Sequence, residues 1–175
     1  AGRLDPIAEG LLLILVGEAN KNRHAYELLD KYYEFEIICG LSTDSHDLMG
    51  LATLPQVSQP VTDKLLNTRI KKWIKTQSRE IILPVPVYSS KPVAGKPLYY
   101  HARHNTLDTI TIPTQTVIIH KLEIAEVREL GLSQVVKMAH EKIEPVVGDF
   151  RQAEILSLWD KLLVQNPLQT IYHAR

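Results

Sequence analysis

Cysteine is almost missing from this chain: one residue, Cys39, among 175. That excludes a disulfide framework and any cysteine-rich zinc site. Long apolar runs are also missing, since nothing approaches the roughly 18 residues that a membrane-spanning helix needs. The richest stretch, Gly10 through the Leu-Leu-Leu-Ile-Leu-Val run to Gly17, reads as a buried strand or short helix. Net charge is absent too, with twenty Lys and Arg against twenty Asp and Glu. A balanced total speaks against a dedicated nucleic-acid binder. No P-loop, Gly-x-Ser-x-Gly or Cys-x-x-Cys pattern occurs, and there are no repeats or low-complexity tracts. Neither an initiator methionine nor a signal-like segment opens the chain, so the expectation is a cytoplasmic protein.

What is present describes an ordinary globular chain, 45% hydrophobic and 23% charged. Its length suits one domain, or one domain with a small appendage, able to bury about 70% of its unfolded surface. Charge is informative by position. Residues 61–120 hold nine Lys and Arg against three Asp and Glu, interleaved with Trp73, Tyr88, Tyr99 and Tyr100. Such a segment suits a polyanion-binding face, or simply a solvated helix face.

Periodicity supplies a coarse map. Glu18 to Leu29 reads as a helix. Lys31 to Cys39 alternates, placing Tyr33, Phe35, Ile37 and Cys39 on one face of a half-buried strand. Residues 41–50 form a polar loop and Leu51 to Val57 a returning strand. Thr62 caps a helix whose apolar stripe is Leu66, Ile70, Trp73 and Ile74, with Lys64, Lys71, Lys72 and Lys75 largely off it. Pro84 and Pro86 punctuate an extended segment, a short helix spans about 97–104, and 110–124 is β-rich. Two amphipathic helices follow at 133–142 and 151–164, broken near Gly148, and 168–175 is a last strand.

The sharpest local feature surrounds Asp5-Pro6. By the residues alone, Asp5 is an N-cap with Pro6 at the first helical position, in a helix that Gly10 limits to about one turn. Tyr33 reads as a core residue beside Phe35 and Ile37. The run Thr43-Asp44-Ser45-His46-Asp47 could hold a metal, but loops collect these residues for turn bonding, and that is the favoured reading. His101 and His104 read as exposed helix residues.

Wider context changes the weight of Asp5. Gly2-x-Leu4-Asp5-Pro6-x-Ala8-x-Gly10-x-Leu12 resembles the signature of the TruB family of tRNA pseudouridine synthases. The likeness continues through Gly17-Glu18-Ala19-x-Lys21, Asp30-Lys31-Tyr32-Tyr33-Glu34, Gly40-x-x-Thr43-Asp44-x-x-Asp47-x-x-Gly50 and Pro86-Val87-Tyr88-Ser89. It is completed by Gly95-Lys96-Pro97-Leu98-Tyr99-x-x-Ala102-Arg103. The resemblance implies an α+β fold, a mixed and mainly antiparallel sheet with helices around a central cleft. It implies Asp5 as catalytic aspartate and Tyr33 as the tyrosine stacked on the uracil, both lining that cleft.

The implied activity isomerises uridine to pseudouridine in the T-loop of tRNA. It involves no redox change and no phosphate activation, so neither cofactor nor metal is expected. A carboxylate serves there as nucleophile or as base toward the sugar, and a helix start at Asp5 would favour its ionised form. The base must leave its stack to be reached, which calls for an aromatic surface. Lys64, Lys71, Lys72, Lys96 and Arg103 are the candidates for positioning the tRNA backbone. The expected partner is the T-arm of tRNA, with no membrane, and the expected state is a monomer.

Three departures from the family pattern accompany the likeness. A preceding Gly-His pair and a later Gly-Thr-Tyr-x-Arg motif, whose arginine pairs with the aspartate, are not found. Arg3 and Glu9 stand where threonine is commoner, and Pro92 where lysine is. The expected organisation is therefore a partial catalytic domain over 1–175, cut at both ends. It comprises a family-like core over 1–126, an inserted helical pair over 131–166, and a strand over 168–175 leading to the missing motif. Two rival readings are a catalytically silent RNA-binding module and a protein-interaction domain that docks a partner on the 131–166 helices.

Overall fold

The computed structural model describes residues 3–54, 63–76, 80–123, 125–166 and 170–174. Helices and strands are mixed. A 3-10 turn over Gly17–Asn22 leads into α1 (Arg23–Glu27), as the sequence predicts for 18–29. Then come β1 (Ile37–Cys39), β2 (Ser42–Thr43), β3 (Ala52–Thr53), α2 (Asp63–Thr76) and β4 (Glu80–Pro84). The remainder is β5 (Pro92–Val93), β6 (Lys96–Pro97), α3 (Leu98–Arg103), β7 (Thr114–Ile118), β8 (Val127–Gly131), α4 (Leu132–Ile143), α5 (Gln152–Gln165) and β9 (Thr170–Ala174). Thr62, the expected cap of α2, and the expected strand residues 55–57 lie outside the described residues. None of the described helices is long and apolar enough to cross a membrane.

The described strands form four small sheets, and every ladder is antiparallel. In the largest, β9 lies between β1 and β8, with Ile37 opposite Ala174, Cys39 opposite Tyr172 and Gly131 opposite Thr170. β4 pairs with β7 from Glu80↔Ile118 to Pro84↔Thr114. Pro84 ends that ladder, where its missing N–H is tolerated.

The core gathers in one place. Leu132, Val135, Val136, Ala139 and Ile143 of α4 and Ile155 and Trp159 of α5 pack with Leu130, Met49 and Ala52. Spacings of three and four bring the α4 residues onto one helix face. Ile155 is completely buried, and burying such a side chain contributes about 1.5–3 kcal/mol. Trp159 is buried as well, and its indole N–H donates to the Leu48 carbonyl at 3.2 Å. The apolar faces of the helical pair are thus occupied by the protein's own loop and strand. That does not favour a pair built to dock a partner.

Two local devices close the pair. Gln134 accepts from the Gly131 amide at 2.8 Å, capping α4. Between the helices, the Gln152 amide donates to the carbonyls of Val146 at 3.0 Å and Gly148 at 2.7 Å. Gly148 sits at φ +112°, and a Cβ there would lie 2.9 Å from the Phe150 ring, so only glycine fits.

Two burial expectations are overturned. The 10–17 run has no strand or helix before Gly17, and it is exposed: Leu11 fully, Ile14 at 76% and Val16 at 80%. No described strand pairs with residues 11–16, and of these Leu15 alone is half-buried. Likewise Tyr33, Phe35 and Ile37 do not form a half-buried face; they are 70%, 52% and 44% exposed. The last described rung of that ladder is Ile37↔Ala174, and residues 31–36 have no described partner strand.

Candidate active site and its basic surroundings

Asp5 begins a β-turn rather than a helix. The Ala8 amide donates to the Asp5 carbonyl at 2.9 Å, with Pro6 second in the turn. Proline presets φ for that position, and the chain continues without helix through Gly10. The expected N-cap role and its helix dipole are therefore absent. The Asp5 side chain is exposed, and no described residue hydrogen-bonds its carboxylate. Ile7, two residues on, packs at the margin of the core, and Lys142 of α4 reaches Glu9 at 3.2 Å. Ile7 and Glu9 thus connect the turn to the core and to α4.

Tyr33 is largely exposed on the irregular segment before β1. No hydrogen bond joins it to Asp5 among the described residues. Core packing, the reading from residues alone, is not what holds this ring.

The 41–51 loop is tightly bonded. Asp47 accepts from the Ser45 hydroxyl at 2.6 Å and the Met49 amide at 2.9 Å, while Thr43 donates to the Asp47 carbonyl at 2.8 Å. This is turn chemistry, and no group among the described residues has the makings of a metal site. Asp44 takes three donors: the Leu51 amide at 2.7 Å, the Tyr88 hydroxyl at 2.6 Å and an Arg151 Nη at 3.1 Å. Burial opposes the Asp44 charge, but these hydrogen bonds and the guanidinium outweigh it and hold the carboxyl below its usual value. Burial, then the Asp44 contact, pushes the Tyr88 phenol up. Gly50 makes the packing possible: a Cβ there would press on Ser45 Oγ and lie 2.6 Å from Thr43 Cβ and 2.8 Å from Asp44 Oδ1.

Asp44 and Tyr88 stand in the quoted motifs, but nothing in the sequence couples them to Arg151. It lies beyond those motifs, caps α5 with a left-handed backbone at φ +63°, and rests its guanidinium 4.9 Å from the Tyr88 ring centre.

The basic candidates fall on three elements, α2, β6 and α3. Lys64, Lys71 and Lys72 are exposed on α2. At about 100° per residue, Lys64 and Lys71 lie within about 20° of one another around that helix. Lys96 and Arg103 flank α3, with Lys96 Nζ 5.1 Å from the Tyr100 ring centre and Arg103 paired to Asp149 at 2.9 Å. His101, expected to be exposed, is instead buried. It bonds the Thr106 hydroxyl at 3.0 Å and the Val93 carbonyl at 3.1 Å, because it shares the inner face of α3 with the fully buried Leu98. His104 is exposed, as expected. Burial pushes the thiol of half-buried Cys39 up.

Asp5 with its proline turn, the bonded 41–51 loop and Tyr88 all lie within one stretch that a family profile matches. The family profile described as TruB family pseudouridylate synthase (N terminal domain) matches residues 1–142, which takes in most of α4. The chain belongs to the TruB family.

Its curated relatives include a tRNA pseudouridine synthase B of Caldicellulosiruptor saccharolyticus, 34% identical over 123 residues, covering 70% of this chain and 40% of the relative. The protein of that name from Lactobacillus delbrueckii subsp. bulgaricus is 35% identical over 125 residues, 71% of this chain and 40% of the relative. That of Caldanaerobacter subterraneus subsp. tengcongensis is 36% identical over 123 residues, 70% and 41% respectively. The chain thus spans about two fifths of the length of these relatives. No solved structure matches it.

Proposed function

We propose that this chain carries the aspartate-bearing part of a tRNA uridine-to-pseudouridine isomerase, acting on the T-loop in the cytoplasm as a monomer. The carrying observation is the family match through Asp5, together with the exposure of that carboxylate on a fixed turn. In the reaction the bond from ribose C1′ to uracil N1 breaks, the base turns, and C1′ joins C5. C5 gives up its proton and N1 gains one. No electrons are gained or lost overall, so the chemistry itself asks for neither cofactor nor metal.

Asp5 acts on the ribose through its carboxylate, as nucleophile or as base, and the exposed Tyr33 ring stacks on the extruded uracil across a shared cleft. Lys64, Lys71, Lys72, Lys96 and Arg103 hold backbone phosphates. Residues 1–126 form the family core in this reading, and the 131–166 helices are an insertion that braces it. The test is tritium release from a T-arm hairpin carrying 5-tritiated uridine. Release that disappears in Asp5→Ala supports the proposal; a folded protein that releases none refutes it.

A further inference from the structure

Arg151 stands beyond residues 1–142, the part of the chain that the family profile matches, yet its side chain ends inside that part. The connector between α4 and α5 aims it there. Arg151 has a left-handed backbone at φ +63°, which L side chains rarely adopt, and its amide donates to Asp149 Oδ1 at 3.4 Å. On either side of it, the Phe150 amide donates to Gln152 Oε1 at 2.9 Å, and Gln152 Nε2 holds the Val146 and Gly148 carbonyls. From this fixed backbone the guanidinium crosses to Asp44 at 3.1 Å and lies 4.9 Å from the Tyr88 ring centre.

The Asp44 carboxylate divides its two oxygens. Oδ1 accepts from the Leu51 amide at 2.7 Å and closes the loop on itself. Oδ2 accepts from the Tyr88 hydroxyl at 2.6 Å and from Arg151. The Arg151 and Asp44 side chains are only 18% and 31% exposed, so water and salt screen this pair less than the exposed pairs elsewhere.

The loop held in this way shares its footing with the Asp5 turn. Leu48, Met49 and Leu51 of the loop and Ile7 of the turn meet in one apolar cluster with α4 and α5. The Trp159 indole ties Leu48 to α5 at 3.2 Å, and Lys142 ties Glu9 to α4 at 3.2 Å. Close-packed interiors transmit strain. A displaced loop therefore presses on Ile7, two residues from the Asp5 carboxylate.

We propose that Arg151 is a positioning residue for the isomerisation. By clamping Asp44 and Tyr88 it sets the 41–51 loop, and through the shared cluster the loop sets the Asp5 turn. Arg151 acts through Asp44 rather than on the substrate. The proposal deepens the isomerase reading and rests on it.

Tritium release from the T-arm hairpin, with kcat and KM read separately, tests it. Arg151→Met is expected to lower kcat by about 10- to 100-fold, the effect of a small misplacement, with KM nearly unchanged. Arg151→Lys, the milder change, is expected to show a smaller fall in the same sense. Arg151→Met added to Asp44→Asn is expected to do little beyond Asp44→Asn alone. His140→Gln, which loosens the same helical pair away from the loop, is expected to keep the parent's kcat. An equal fall there would mark general loosening and overturn the proposal. Circular dichroism checks the folding of each variant.

A second readout needs no turnover. In amide NMR spectra, Arg151→Met is expected to shift the resonances of residues 43–51 and also those of 4–9; unmoved resonances at 4–9 overturn the coupling. Shifts at both segments without tritium release by the parent remove the isomerase alone. Release by a folded Arg151→Met variant at the parent's kcat removes the positioning role alone.

Discussion

Arg151 reaches back 107 residues to hydrogen-bond Asp44 at 3.1 Å, and the Tyr88 hydroxyl meets the same carboxylate oxygen at 2.6 Å. The helical pair and the bonded 41–51 loop are thereby joined by one partly buried charge. Arg151→Met leaves that charge with less compensation and is expected to cost about 1–3 kcal/mol of unfolding free energy. Urea denaturation measures it. Arg151→Lys should recover only part, since an ammonium lacks the planar fork. A Met variant within about 0.5 kcal/mol of the parent would show that the pair contributes nothing.

The same carboxylate sets an acid limit. Its folded-state value is lowered, so its contribution is complete above the ordinary aspartate value of about 3.9 and is lost as pH falls through the folded one. Asp44→Asn should flatten this part of the stability profile between about pH 5 and pH 2. Parallel profiles for parent and variant would contradict the assignment.

His140 works in the opposite direction. Its imidazole lies between Glu144 of its own turn, at 2.8 Å, and Asp160 of α5, at 2.9 Å. Hydrogen bonds to these two carboxylates raise its value against a small opposing effect of burial. The stability it contributes is therefore complete below about 6.5 and fades as pH climbs through the raised value. Melting temperatures taken at pH 6 and pH 8.5 should differ in the parent, and His140→Gln should shrink that difference. An unchanged difference would remove His140 as its source.

Gly50→Ala adds a methyl where Thr43 and Asp44 already close in. Relaxation there means moving the carboxylate that Arg151 and Tyr88 hold, so a loss of about 1–3 kcal/mol is expected in chemical denaturation. Preserved stability would mean that the loop shifts without strain.

Much of the helical part was legible from pattern. The 3.6-residue rhythm located α2, α4 and α5, and the short helix holding Tyr100 was expected from residues alone. Strands fared less well, because their burial depends on partners that a local pattern does not name. Tyr33 and Phe35 alternate as strand residues do, yet no described neighbour covers them. Leu11 to Val16 look like core for the same reason and are exposed. The quoted motifs took in Asp44 and Tyr88, but Arg151 was invisible because its contact joins distant parts of the chain. His101 was misplaced because its two hydrogen-bond partners, Val93 of β5 and Thr106 just after α3, lie outside its own helix.

The middle position of β9 also bears on biosynthesis. Its flanking strands, at 37–39 and 127–131, leave the ribosome well before residues 170–174. Until then both present unsatisfied edges, the kind of surface that invites mispairing in a nascent polypeptide. The sheet therefore closes only once residues 170–174 have emerged, and Thr170–Ala174 is the segment that silences both edges at once.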